Sequence, residues 1–221
     1  MDITCGPIND QRKFKLELPF VPNTTQPLHF LYKKTHKLIN NDTIGVLISG
    51  GIDSAILYYT LLKENLESGN KFKIIPYTIL RKEGSRYYAK NVINYIHKQF
   101  NLPEINLNII GDNTLPEIKQ VESGIADILY KQVDYVYLGL IENRKEHLVG
   151  WHRFKFTETF HLRYPLLNLQ KSHVIDLYVK LNQLNLLKLT YSCAINEIDA
   201  CGTCNGCLER SWGLNQLNLI L

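Results

Sequence analysis

The sequence predicts an α/β fold, a parallel sheet flanked by helices, with a small cysteine-rich lobe at its C-terminal end. Two observations carry that prediction. Short apolar runs alternate with stretches whose apolar residues recur at helical spacing, the pattern of parallel strands joined by crossover helices. Four cysteines, Cys193, Cys201, Cys204 and Cys207, then crowd into a C-x7-C-x2-C-x2-C segment.

In chain order, residues 1 to about 27 carry Pro7, Pro19, Pro22 and Pro27 and read as an extension with at most one short strand, 14–18. A helix over 28–39 leads into the first sheet strand, 44–48, whose unbroken apolar run suits burial on both faces. Helical spacing follows over 54–67, then a strand over 72–80 and a helix over 86–100. The third strand is 105–110, the next helix 117–131 and the fourth strand 135–140. A fifth strand is expected around 158–162, and 171–187 supplies one or two helices. The organisation is thus an extension and lead-in helix (1–40), a sheet domain (41–187) and a cysteine lobe (188–221). Ligands are expected at the carboxyl ends of the strands.

The most informative corner joins the first strand to its helix, Ser49-Gly50-Gly51-Ile52-Asp53-Ser54. Adjacent glycines let backbone N–H groups approach an anion closely, at a helix N-terminus whose dipole favours negative charge. A phosphate or pyrophosphate is the natural occupant; the plain alternative is a corner of small residues chosen for packing. The corner is neither a Walker loop, since the G-K-[ST] ending is missing, nor G-x-G-x-x-G. Asp53 suits a helix cap, a magnesium ligand, or both. The four cysteines suit tetrahedral zinc, and four sulfurs leave no open position, which points to a structural site. Two disulfides are the competing reading. A chain of 221 residues with no signal peptide can bury a core without staples, which favours metal in the cytoplasm.

Ser-Gly-Gly-Ile-Asp-Ser resembles the pyrophosphate (PP) loop of the N-type ATP pyrophosphatases. The segments 164–171 (Tyr-Pro-Leu-Leu-Asn-Leu-Gln-Lys), 190–193 (Thr-Tyr-Ser-Cys) and 201–210, from Cys201 to Arg210, are similar to the 7-cyano-7-deazaguanine synthase family of queuosine biosynthesis. The resemblance covers about residues 44 to 213, closely at both ends and loosely between. It implies a Rossmann-like sheet of the adenine nucleotide alpha hydrolase type. It also implies an enzyme that uses ATP to activate 7-carboxy-7-deazaguanine, takes up ammonia, and dehydrates the amide to a nitrile. ATP, Mg2+ and Zn2+ are the implied cofactors. Ile48, Ser49, Gly50, Gly51, Ile52, Asp53, Ser54 and Gly139 would line the nucleotide, Gly139 being otherwise a strand-ending turn glycine. Lys171, otherwise a solvated charge at a helix start, would neutralise the departing pyrophosphate. Asp53 and Lys171 are the candidate catalytic residues.

The middle of the chain departs from the family. Ile79-Leu80-Arg81-Lys82-Glu83-Gly84-Ser85-Arg86 and Glu142-Asn143-Arg144-Lys145-Glu146-His147 replace the family turns. Arg81, Lys82, Arg86 and Arg144 read an anionic substrate or are plain surface charge. His152 and Arg153 beside Trp151 contact a purine-like acid or form a surface cluster. Two alternatives therefore stand beside the synthase: a paralogue that joins an activated acid to a protein or tRNA, and a non-catalytic nucleotide-binding protein. Composition is that of an ordinary globular protein, 45% apolar and 21% charged with net charge +4. That mild excess gives no reason to expect a nucleic-acid partner, and no apolar run is long enough for a membrane span. The expected partners are a small carboxylate and ammonia. A homodimer, or a protein bound through residues 1–40, is compatible with the sequence.

Overall fold

A computed structural model describes residues 1–19, 43–79, 85–112, 114–115, 117–130, 133–142, 161–196 and 198–220. The helix expected over 28–39 lies outside the described residues, as do Arg81, Lys82, Arg144, His147, Trp151, His152 and Arg153. Two strands come first, β1 (Asp2–Cys5) and β2 (Arg12–Lys15). The sheet domain follows with β3 (Thr43–Leu47), α1 (Ile52–Glu67), β4 (Lys73–Ile79), α2 (Ser85–Gln99), β5 (Asn108–Ile110), α3 (Glu117–Tyr130) and β6 (Tyr135–Leu138). Then come β7 (Leu162–Arg163), α4 (Lys171–Lys180), α5 (Leu184–Leu189) and α6 (Asn205–Asn215). The larger sheet has the order β5-β4-β3-β6-β7 with every described pair parallel. Among the described residues no helix is long and apolar enough to cross a membrane.

β3 lies at the centre, and its alternating side chains explain both layers. Ile44 and Val46 enter the larger core with residues of α1, α2, α4 and α5. Gly45 points the other way, where a Cβ would stand 2.7 Å from Ile128 Cγ2 of α3. The missing side chain lets α3 lie close on the second face, over a smaller core built on Tyr77, Ile79, Val136 and Leu138. α1 is buried almost all round, from Ile52 to Leu62. It is sandwiched between the sheet and the C-terminal helices. Its far end is closed by Asn65, whose side-chain amide exchanges two hydrogen bonds with the backbone of Phe72 (2.9 and 3.0 Å). Gly69 and Asn70 take positive φ in that turn.

Strand order reverses between β3 and β6, the crevice where doubly wound sheets take their ligands. The fifth strand includes Leu162–Arg163, and residues 158–160 of the expected one lie outside the described residues. Two expectations need correction. The third strand begins only at Asn108. Residues 1–19 hold two strands rather than one, paired as an antiparallel hairpin. That hairpin is anchored, with Cys5, Phe14 and Leu16 fully buried in the larger core. The Gly6 N–H donates to Asp176 Oδ2 (2.8 Å), and His173 Nε2 lies 2.7 Å from the Asp10 carbonyl. Both partners sit on α4. Gly6 has no room for a side chain: a Cβ would stand 2.3 Å from the His173 ring.

Candidate active site and cysteine centre

The corner after β3 is held from inside by its two serines. The Ser49 N–H donates to Ser54 Oγ (3.1 Å), the two hydroxyls lie 3.1 Å apart, and Ser54 donates on to the Gly51 carbonyl at 3.3 Å. Gly51 is the N-cap of α1 and its carbonyl accepts the Ala55 N–H. Asp53 therefore does not cap the helix; no side chain does. The reason is geometric, because Asp53 already lies inside the first turn and its carboxylate reaches elsewhere. The first-turn N–H groups of such a helix lack intrahelical acceptors and carry its positive dipole end.

Three neighbours confine the loop. Gly50 takes φ +80° and leaves no space for a side chain, since a Cβ would meet the start of α2 at 2.6 Å (Tyr88 Cβ and the Ala89 nitrogen). From the other side Tyr191 donates its N–H to the Gly50 carbonyl (3.0 Å). The Tyr191 ring lies flat on Tyr88, centroids 4.2 Å apart. Gly139, just past β6, faces the first turn of α1; a Cβ there would come within 2.9 Å of the Asp53 carbonyl carbon and the Ser54 nitrogen. Ile48 and Ile52 are buried beneath the loop and support it.

Lys171, the first residue of α4, is brought to this corner from far along the sequence. Its Nζ lies 2.8 and 2.6 Å from the two Asp53 carboxylate oxygens and 3.1 Å from Glu209 Oε2. Its side chain is only 7% exposed, so it is not a solvated surface charge. A cation at a helix N-terminus opposes the dipole, and the two carboxylates offset that cost. Burial works to discharge the ammonium, but Asp53 and Glu209 outweigh it and hold the Lys171 pKa above its ordinary value. Burial raises the Asp53 pKa, with Lys171 opposing and Glu209 adding to the rise.

The four cysteines converge as their spacing implies, with sulfurs all within 4.8 Å of one another. A tetrahedron with metal–sulfur bonds of about 2.3 Å has edges of roughly 3.8 Å, so a small inward adjustment closes the site. Backbone N–H groups of Asn196 and Cys201 point at Cys193 Sγ (3.3 and 3.5 Å), and they pull its pKa down to about 5. Thr203 and Cys204 do the same for Cys201. Such N–H···S contacts orient and stabilise thiolates in a metal shell. Gly206 is required for the turn, because a Cβ would lie 2.0 Å from the Ser192 carbonyl oxygen. The set could hold a metal ion.

α6 ties the two sites together, and the sequence does not announce it. Cys204 is its N-cap and Cys207 lies in its first turn. Glu209 pairs with Lys171, and Arg210 caps α5, donating to the carbonyls of Thr190 (2.8 Å) and Leu187 (3.1 Å). Gly213 lies against Lys171 and Ile175, where a Cβ would come within 3.0 and 2.8 Å. Glu209, Tyr88 and Tyr191 are the site residues that sequence reading assigned no role. The available signal was the i, i+4 spacing of Glu209 and Gly213, which sets an acid and a gap on one helix face.

Among solved structures, the U34-tRNA thiolase NcsA from Methanococcus maripaludis, described with its [4Fe-4S] cluster, is similar to this chain. The TM-score is 0.40 and the identity 16% over 80% of the chain, which spans 66% of that protein's length. Comparison with curated proteins finds no match. Residues 141–218, which hold α4, α5, α6 and all four cysteines, match the family model of the queuosine biosynthesis protein QueC, in agreement with the family resemblance of the sequence.

Proposed function

We propose that this chain is an ATP-dependent adenylating enzyme that converts 7-carboxy-7-deazaguanine to 7-cyano-7-deazaguanine with ammonia. The observation that carries the reading is one corner where a helix N-terminus, two serine hydroxyls and a buried ammonium converge. Those are the groups that meet negative charge as pyrophosphate departs. The acid's carboxylate oxygen attacks the α-phosphorus, the bridge to the β-phosphate breaks, and pyrophosphate leaves with the electron pair. First-turn N–H groups and the Ser49 and Ser54 hydroxyls hold the β- and γ-phosphates. Lys171 turns from Asp53 toward the leaving group. Ammonia then displaces AMP from the acyl carbon; a second ATP adenylates the amide oxygen with release of pyrophosphate, and loss of that oxygen on AMP, with the nitrogen's two protons, leaves the nitrile.

Asp53 would hold the magnesium that accompanies ATP, which supplies further charge neutralisation at the phosphates. Cys193, Cys201, Cys204 and Cys207 would hold zinc in a structural role, fixing the start of α6. Localisation in the cytoplasm, where thiols stay reduced, accords with a cluster of free cysteines. Residues 1–19 are engaged with α4, so a protein partner would meet the outer side of the hairpin.

The test is pyrophosphate release from ATP with the acid and ammonium present or singly omitted, and product identified by mass. Acid-dependent pyrophosphate with a nitrile product is expected. Release of ADP and phosphate, or ATP binding with no turnover on the acid, overturns the reading. Pyrophosphate formed only with a polypeptide or tRNA would assign the chain to the macromolecule-modifying alternative.

A further inference from the structure

We propose that Glu209 is a positioning residue for Lys171, keeping its side chain aimed at the phosphate corner once Asp53 is engaged by the incoming nucleotide; this rests on the adenylating role proposed above. Lys171 lies between two carboxylates from different helices, Asp53 on α1 and Glu209 on α6. Asp53 belongs to the loop itself and makes the closer, two-oxygen contact at 2.6 and 2.8 Å. When the nucleotide claims Asp53 or Lys171, the flexible lysine stem needs a second hold, or it gains freedom that must be lost again in the transition state.

Glu209 supplies that hold from outside the loop, at 3.1 Å and with its side chain 20% exposed. It does not move with the loop, because α6 is fixed three ways. Cys207 belongs to the cysteine centre, Arg210 is bonded to the end of α5, and Gly213 lies in contact with Lys171 and Ile175. Among the described residues, Tyr178 also lies near the pair, and its hydroxyl donates to the Ile52 carbonyl (2.5 Å). Arg210 spends its guanidinium on Thr190 and Leu187, which leaves Glu209 to serve Lys171. In the role proposed, Glu209 acts through the lysine that it contacts.

The experiment compares Glu209→Gln and Glu209→Asp with the wild-type chain in steady-state turnover, ATP affinity and labelling of Lys171. A water-soluble acetylating reagent is read out at that residue by mass spectrometry. For Glu209→Gln we expect kcat to fall about ten- to a hundredfold, the loss of one charge-assisted contact, with KM for ATP unchanged or lower. Glu209→Asp should recover part of kcat, and labelling of Lys171 should rise several-fold in Glu209→Gln. Unchanged kcat and labelling overturn the inference, as does a parallel loss of ATP affinity and turnover that Glu209→Asp does not relieve. Should the wild-type chain show no pyrophosphate release at all, the enzymatic reading fails. The labelling comparison still decides the clamp: Lys171 equally reactive in both proteins would refute it.

Discussion

Gly139→Ala isolates what the phosphate corner needs from its surroundings. The added methyl would stand 2.9 Å from the Asp53 carbonyl carbon and the Ser54 nitrogen, both backbone atoms that cannot rotate away. Optimal carbon contacts lie near 3.5–4.0 Å, so the first turn of α1 or the end of β6 must retreat by roughly half an ångström or more. Overpacking of this kind costs about 1–3 kcal/mol. For a chain of this length that is about 2–12 °C in Tm. If the nucleotide sits where proposed, the same retreat moves the helix N-terminus off its phosphates, and misplacement near one ångström costs on the order of a hundredfold in such sites. Calorimetric titration with ATP is expected to show affinity at least tenfold weaker. Gly69→Ala is the control. Gly69 takes φ +91° with nothing within 4 Å, at the opposite end of α1. Its substitution costs about 1–2 kcal/mol of backbone strain. Both variants should melt earlier, and only Gly139→Ala should lose ATP. Wild-type affinity in Gly139→Ala, or equal losses in both, would refute the placement of the nucleotide at this corner.

Other outcomes follow from the same geometry. Gly206→Ala drives a methyl into the Ser192 carbonyl and, on the proposed metal role, should leave the purified chain with well under one equivalent of bound metal by elemental analysis, as should Cys204→Ser. Lys171→Met should lower the rate of pyrophosphate release by about 10²–10³, the usual cost of removing one group that stabilises developing charge; a rate within threefold of wild type would rule out its role. His173 is held neutral by burial, its pKa below the ordinary 6.5. The unfolded chain takes up that proton as pH falls through 6.5 while the fold resists, so stability present above this pH is lost below it. Denaturant midpoints should therefore fall between pH 7 and 5, and the fall should be smaller in His173→Gln.

What the sequence disclosed and what it hid divide along the range of the interactions. The corner after β3 is local: a buried apolar run, two glycines and a helix start sit within a dozen residues, so neighbours alone dictate the shape. The cysteine centre is local in the same sense, although its helix α6 is not evident in the pattern. Lys171 and Asp53 are 118 residues apart, and nothing in either neighbourhood says that they touch. By residue type Asp53 suits a cap. It does not serve as one because the backbone at Gly51 already begins the helix and the carboxylate has a distant partner. The N-terminal hairpin was underread for a similar reason, since its prolines suggest a loose segment while its anchors, Asp176 and His173, lie on α4.

The seating of that hairpin has a consequence during synthesis. The Gly6 N–H waits for a carboxylate 170 positions later, so at ribosomal rates of about 5–20 residues per second the wait is on the order of ten to thirty seconds. Throughout it, the hairpin has no α4 to lie against, and the nascent chain carries a sticky two-stranded ribbon. Chaperone occupancy on ribosomes translating this message should accordingly begin once the hairpin emerges and end only after α4 itself has cleared the exit tunnel.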